Sequence, residues 1–232
     1  MLTKACLWVT AILLGACTAP QPATKPVAPW PQPKEIVRDG FEGKLGPGWV
    51  WLDEDPAAWN IEGQRLNMKR FPGKGFYGIN MKIPVLYRPA VPFRRGLEMR
   101  VKVGFDVDKP YGQAGFVVFY DKDRYAKYIL EYWYNKGTHV IFLREDDGVP
   151  CHCKGICEKD VHVGKIEVEL RLQYDGEKFI TSYRFPGDKD WTHHFDVDAI
   201  KNEGPVNVGL FSQADSGSTD WAWFDDFELS VP

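Results

Sequence analysis

Helical periodicity is missing from this sequence. Apart from Asp196 to Lys201, which could form one turn, no long stretch repeats its apolar residues every three to four positions. A helical bundle is thereby excluded. A basic stripe is missing too: 29 Lys and Arg stand against 32 Asp and Glu, for a formal net charge of -3, so nucleic-acid binding has no electrostatic support. The apolar run from Ala5 to Leu14 falls short of the about 20 residues that span a bilayer. No serine or cysteine signature accompanies the adjacent His193 and His194. Neighbours on a strand point to opposite faces, so these two do not chelate one metal and read as surface residues. Cysteine is scarce, with five in the chain, and three of them crowd into "GVPCHCKGICEKDVHVG".

What is present begins with an address. Lys4, the short run Ala5 to Leu14 and then Leu14-Gly15-Ala16-Cys17 have the layout of a secretory signal, ending in four residues that resemble a bacterial lipobox. The expectation is a signal peptide over 1–16 and cleavage before Cys17, with its sulfur lipidated and the membrane as a partner through that lipid. Thr18 replaces the aspartate that would retain such a protein, so a Gram-negative cell would send it to the outer membrane. Residues 17–36 form a linker; six prolines between residues 18 and 34 make it a semi-rigid polyproline spacer. The folded domain is expected over 37–232, a length suited to one all-β unit.

Period-two alternation dominates that domain. Ile166, Val168, Leu170, Leu172 and Tyr174 share one face, opposed by Glu167, Glu169, Arg171 and Gln173. "LEMRVKVGF" and "KFITSYRF" repeat the pattern, and Asp175-Gly176 marks a hairpin turn. In contrast, "AGFVVFY" and "KYILEYWY" are apolar or aromatic on both faces, as befits strands in mid-sheet lying under another sheet or under a ligand. Two antiparallel sheets in a jelly-roll sandwich follow.

The motifs point the same way. Phe41, Leu45 and Trp49 open the domain, and Trp59, Ile61, Gly63 and Leu66 form a Trp-x-Ile-x-Gly-x-x-Leu strand pair. Ala114, Gly115 and Asp121 follow, and Phe224-Asp225-Asp226-Phe227 closes the chain. This series resembles the concanavalin A-like lectin/glucanase superfamily, and within it the C-terminal module of family-43 β-xylosidases and similar bacterial domains. The resemblance implies the jelly-roll and a link to carbohydrate, but not one activity, because that fold carries enzymes, lectins and non-catalytic modules. It also implies a structural calcium as the one cofactor to consider, held by Asp226 with Asp39 or Glu42 so as to join the two ends of the domain. No stretch of this sequence resembles the catalytic propeller to which the xylosidase module is attached. The cysteine cluster is absent from the family's pattern and reads as an insertion between strands.

Three sets of residues carry candidate chemistry. On "KYILEYWYNKGTHVIFLRE", Lys127, Glu131 and Trp133 share one strand face; with Arg144 they form a candidate carbohydrate site, the indole to stack on a sugar and the charges to fix its hydroxyls. The opposing reading has Trp133 capping the core and Glu131 paired with Lys127 or Arg144. Glycosidase chemistry needs two carboxylates. The Glu-x-Asp-x-x-Glu string of concanavalin-like glucanases is missing, leaving Glu131, Asp226 and Glu228 as the catalytic candidates. Cys151, Cys153 and Cys157 read first as a disulfide with one thiol left over, and second as a zinc site completed by His152 or His162. The sequence therefore predicts an exported, membrane-anchored, non-catalytic module that binds a glycan or envelope polysaccharide. An envelope scaffold for another protein, or a glycoside hydrolase of the same fold, are the alternatives.

Overall fold

The computed structural model describes residues 29–72, 83–107, 111–121, 123–133, 137–147, 149–153, 164–200, 204–214 and 220–232. Among them there is no helix. One sheet runs β14 (Thr192–Asp198), β13 (Lys178–Arg184), β12 (Gly164–Tyr174), β7 (Glu98–Val107), β16 (Trp221–Val231), β4 (Arg65–Lys69) and β3 (Trp59–Glu62), with β1 (Glu35–Asp39) also on β16. We call this sheet A. Sheet B runs β11 (Val149–Cys153), β10 (Gly137–Asp146), β9 (Arg124–Trp133), β8 (Gly112–Asp121), β15 (Val206–Ala214), β6 (Val85–Val91) and β2 (Val50–Leu52), with β5 (Phe71–Pro72) parallel to β15. All other pairings are antiparallel. The jelly-roll sandwich expected from the alternation is the observed fold.

The main core lies between the sheets. Met99, Val101, Val103 and Phe105 of β7 meet Phe116, Val118, Tyr128, Leu130 and Phe142 of sheet B, all fully buried. Lys102, Glu167 and Glu169 take the other face of sheet A and stay partly wet. The predicted hairpin is present: Asp175 Oδ1 accepts the amides of Glu177 and Lys178, and Gly176 sits at φ 104°, where a side chain would be strained.

Sheet B has a second apolar face. Val117, Tyr125, Ile129 and Phe211 pack there, each fully buried, with Ile83, Val85, Phe119, Ile141 and Leu143 around them. The two strands read as apolar on both faces, β8 and β9, are the central pair of this sheet.

Two sequence readings are corrected. Asp196 to Asp198 belong to β14 and pair with Lys178 to Ile180, so no helical turn starts there; the cross-strand ladder overrides a weak local preference. Nor is His194 a surface residue. It is half-buried, its Nδ1 lies 3.2 Å from the Tyr128 hydroxyl, and its ring packs on Phe195 at 4.0 Å, whereas His193 is exposed beside Asp196.

The two ends of the sandwich differ. At one end β1 begins and β16 finishes, joined by the Lys34 amide to the Val231 carbonyl at 2.8 Å. Arg95 donates to the Pro29 carbonyl at 2.9 Å, Arg94 to the Pro232 carbonyl, and Pro31 lies against Gly96 so closely that a Cβ there would come within 2.8 Å. The last part of the proline-rich segment is thus clamped to the β6–β7 connection. Phe93 stacks on Tyr174 at 4.0 Å and meets Tyr120 edge-on at 5.8 Å, which places the finish of β8 and the start of β9 at this same end. The finish of β9, with Glu131 and Trp133, lies at the opposite end.

Candidate functional site

Antiparallel register brings four strands of sheet B into one polar row. Gln213 of β15 lies opposite Gln113 of β8, Gln113 opposite Glu131 of β9, and Glu131 opposite His139 of β10. Partners opposite each other in such a ladder share a face, here the second face of the sheet. Apart from Lys127, the side chains packed around the row are apolar or aromatic, so the polar groups are left to satisfy one another. Gln113 Nε2 donates to Glu131 Oε1 at 2.6 Å; Gln113 Oε1 accepts from Lys127 Nζ and from Gln213 Nε2, each at 2.9 Å. One amide therefore relays between a cation and a carboxylate, its two ends serving opposite charges.

The row forms one wall of a cavity of about 290 Å³, near the lower end of the roughly 300–1,000 Å³ range of small-ligand sites. Ile129, Ile141 and Leu143 supply its apolar floor, and Trp133 and Tyr111 also line it. Tyr111 is largely exposed, Trp133 half-buried with its ring 5.1 Å from that of His139.

Electrostatics in this face are governed by burial. Lys127 is 2% exposed, and loss of water lowers its ammonium to about 8 against the pull of Glu131 and Glu145. Burial pushes the Glu131 carboxyl up; Trp133, Lys127, Gln113 and His139 act in the other direction. Glu145, fully buried deeper along the sheet, accepts from the Tyr125 hydroxyl at 2.8 Å. Such groups persist in a core only while their partners do.

The structure brings together three of the four residues assigned to the carbohydrate site. Lys127, Glu131 and Trp133 do share the cavity. Arg144 does not. It pairs with Ala126, which faces the main core, so it has the opposite parity from Glu131, and its guanidinium donates to the Asp198 carbonyl of sheet A. Arg144 joins the two sheets through this exposed contact, which corrects both its binding role and its alternative pairing with Glu131. Sequence reasoning missed Gln113, Gln213, His139 and Tyr111. The signal available was a glutamine interrupting each of two otherwise apolar strands, "GQAGFVVFY" and "VNVGLFSQA".

Asp226 and Glu228 lie on sheet A, outside this cavity. A bulge between Asp225 and Glu228, with Asp226 at φ 47°, inserts one residue, so Phe224 and Phe227 both reach the core. Asp226 is 2.5 Å from Lys102 Nζ; Glu228 receives Arg38 Nε at 2.8 Å and lies 3.3 Å from Arg100. Asp39 organises the loop after β1: its carboxylate accepts the amides of Phe41 and Gly46, each at 2.8 Å, and the Trp49 indole at 2.7 Å. Glu42 is exposed, and among the described residues no group of three His, Cys, Asp or Glu side chains is arranged to hold a metal. Asp39 and its three donors fix the loop after β1, and the two ends of the domain are joined by the pairing of β1 with β16. Cys151 and Cys153 fall on β11, at register positions opposite Arg144 and Phe142; Cys157, His162 and Cys17 lie outside the described residues.

Trp49, Trp51 and Trp59 pack against the main core. Trp223 lies on the outer face of sheet A beneath the Arg65 guanidinium at 4.0 Å.

The sandwich with its two-faced sheet B defines a concanavalin A-like jelly-roll domain. Residues 38–230 match the β-xylosidase C-terminal concanavalin A-like domain, and the chain belongs to that family. Solved structures agree on the fold. A xylan β-1,4-xylosidase from Bacillus halodurans superposes with a TM-score of 0.69 at 19% identity, covering 92% of this chain and 41% of that one. A GH43 protein from Bacillus licheniformis gives 0.65 at 22%, covering 84% of this chain and 39% of that one. The chain therefore spans about two fifths of the length of those proteins. The exoplasmic/lumenal domain of VIP36, in a form bound to Ca2+ and Man3GlcNAc, gives 0.52 at 13% identity, covering 80% of this chain and 84% of that one. No curated protein matches the chain.

Proposed function

We propose that this chain is an exported lipoprotein, anchored through Cys17 and held off the membrane by its proline-rich segment, whose jelly-roll domain binds carbohydrate without cleaving it. The observation that carries the binding role is the cavity on sheet B, where a half-buried indole stands over a buried, mutually hydrogen-bonded set of donors and acceptors. An aromatic face for the C–H surface of a sugar ring and fixed polar groups for its hydroxyls are what sugar recognition requires. The VIP36 exoplasmic/lumenal domain, which shares the fold and is solved bound to Ca2+ and Man3GlcNAc, supports this reading.

Binding is favoured over cleavage by the count of carboxylates. Among the described residues lining the cavity, Glu131 is the single acid, whereas glycoside hydrolysis calls for a pair roughly 5–9.5 Å apart. Asp226 and Glu228, the other acids considered, lie on sheet A and each face a cation of the neighbouring strand β7. The test is a glycan-array and polysaccharide-binding screen with the full-length chain, beside Trp133→Ala. Binding that vanishes in the variant, with no reducing ends released, supports the proposal. Silence from folded protein across a broad array removes the carbohydrate role and moves the question to a protein partner in the envelope. Release of reducing ends, lost in Glu131→Gln, would make the protein a hydrolase.

A further inference from the structure

Resting on the carbohydrate reading, we infer that the sheet B cavity selects one uncharged sugar ring, presented at the end of a chain, and rejects uronic acids. The argument starts with charge. Lys127 and Glu131 share the cavity wall and are joined through Gln113 by contacts of 2.9 and 2.6 Å, so that the pair is self-neutralising before any ligand arrives. Glu145 adds a second carboxylate whose field acts on Lys127 from further along the same face. The one lysine or arginine among the described lining residues is thus already matched. A ligand carboxylate entering here would stand beside Glu131 with no further cation among the described lining residues, and like charges drawn close in a dry site are strongly disfavoured. A neutral ring brings hydroxyls, which donate to Glu131 and accept from the lysine without adding charge.

The amide geometry sharpens the choice. Gln113 directs its N–H to Glu131 and its carbonyl to Lys127 and Gln213, so the row offers an acceptor at one end and donors at the other. Two neighbouring hydroxyls on one ring match that spacing of opposite partners. Volume sets the number of rings. At about 290 Å³, walled by Tyr111, Trp133 and the polar row, the site is a pocket of single-ring scale; an internal segment would need a trough open along its length.

The test compares matched pairs by titration calorimetry on the full-length chain: glucose with glucuronate, galactose with galacturonate, then xylose with xylobiose and xylotetraose. At least one neutral sugar should bind ten-fold or more tightly than its uronate partner. The xylose series should hold its affinity within about three-fold as the chain lengthens. In Glu131→Gln, checked by thermal melting for folding, the neutral-to-uronate ratio should fall toward one as the like-charge penalty disappears. Uronates binding as well as their neutral partners to the wild type, or affinity climbing steadily with chain length, would overturn the inference and leave carbohydrate binding intact. No binding of any saccharide, neutral or acidic, would overturn the carbohydrate reading itself.

Discussion

The two sheets treat charge in opposite ways. Sheet A keeps its apolar residues on one face and its ions on the other, where Arg184 meets Glu169 at 2.6 Å and Lys102 meets Asp226, each pair at least partly open to water. Sheet B buries both faces, and its ions sit inside: Lys127, Glu131 and Glu145 are each under 10% exposed. Sheet A could lose any one of its pairs and let water replace it. Sheet B could not, because an ion left there has no solvent to turn to. A sheet that holds such groups where apolar ones would pack more simply is where a binding function is to be sought.

The sharpest way to break this contrast is Lys127→Met, which strands Glu131 and Glu145; urea unfolding should show a loss of about 3–5 kcal/mol. The pH dependence carries a sign. The lysine titrates at about 8 in the folded chain and near its ordinary 10.5 when unfolded, so between these values the unfolded state holds more protons. The burial penalty is full below pH 8 and is relieved as pH rises toward 10.5. Wild type should therefore gain on Lys127→Met by up to roughly 3 kcal/mol across that window, read from denaturation midpoints at each pH. A flat difference would place the lysine in water.

Next in size is Gly115→Ala at the centre of sheet B. Its Cβ would lie 2.3 Å from the Tyr128 carbonyl oxygen and 2.8 Å from Ile129 Cα, backbone that does not yield, and the cost should reach the upper end of the roughly 1–3 kcal/mol of overpacking. Asp39→Ala asks whether burial or sheet identity matters: this acid, at the end of a sheet A strand, is 8% exposed and accepts three donors. Stranding them should cost about 1–3 kcal/mol, more than any exposed pair on the same sheet. The smallest effect belongs to Glu169 and Arg184, where a double-mutant cycle should give a coupling below about 1 kcal/mol that shrinks with salt.

These differences explain which parts of the molecule were legible in sequence. Strands such as Ile166 to Tyr174 announce themselves because one face meets core and the other water. The doubly apolar runs around Val117 and Ile129 announced a covered sheet, and with it the face that carries Lys127, Glu131 and Trp133. The sequence puts Arg144 on the wrong face because its face depends on how β10 registers against β9, which the strand's own pattern does not set. The Asp226 bulge was hidden for a similar reason: an inserted residue changes parity with no change of composition. Gln213 and Gln113 are a hundred positions apart, and only the ladder makes them neighbours. The proposed address and linker rest on local motifs alone; the site required the sheet.

The clamp between the proline-rich segment and the β6–β7 connection gives the domain a direction of load. It lies at one end of the sandwich and the cavity at the other, so a ligand that pulls at the cavity while the tether resists draws force along the strands. Beyond the clamp, β1 is the first strand to receive that force. Its five register pairs with β16, from Glu35–Val231 to Asp39–Phe227, run parallel to the pull. Their hydrogen bonds are loaded together in shear and do not open one after another as a zipper would. Under the proposed anchor at Cys17, the strand nearest that anchor would also be a mechanical latch, set to hold while something large drags on the far end.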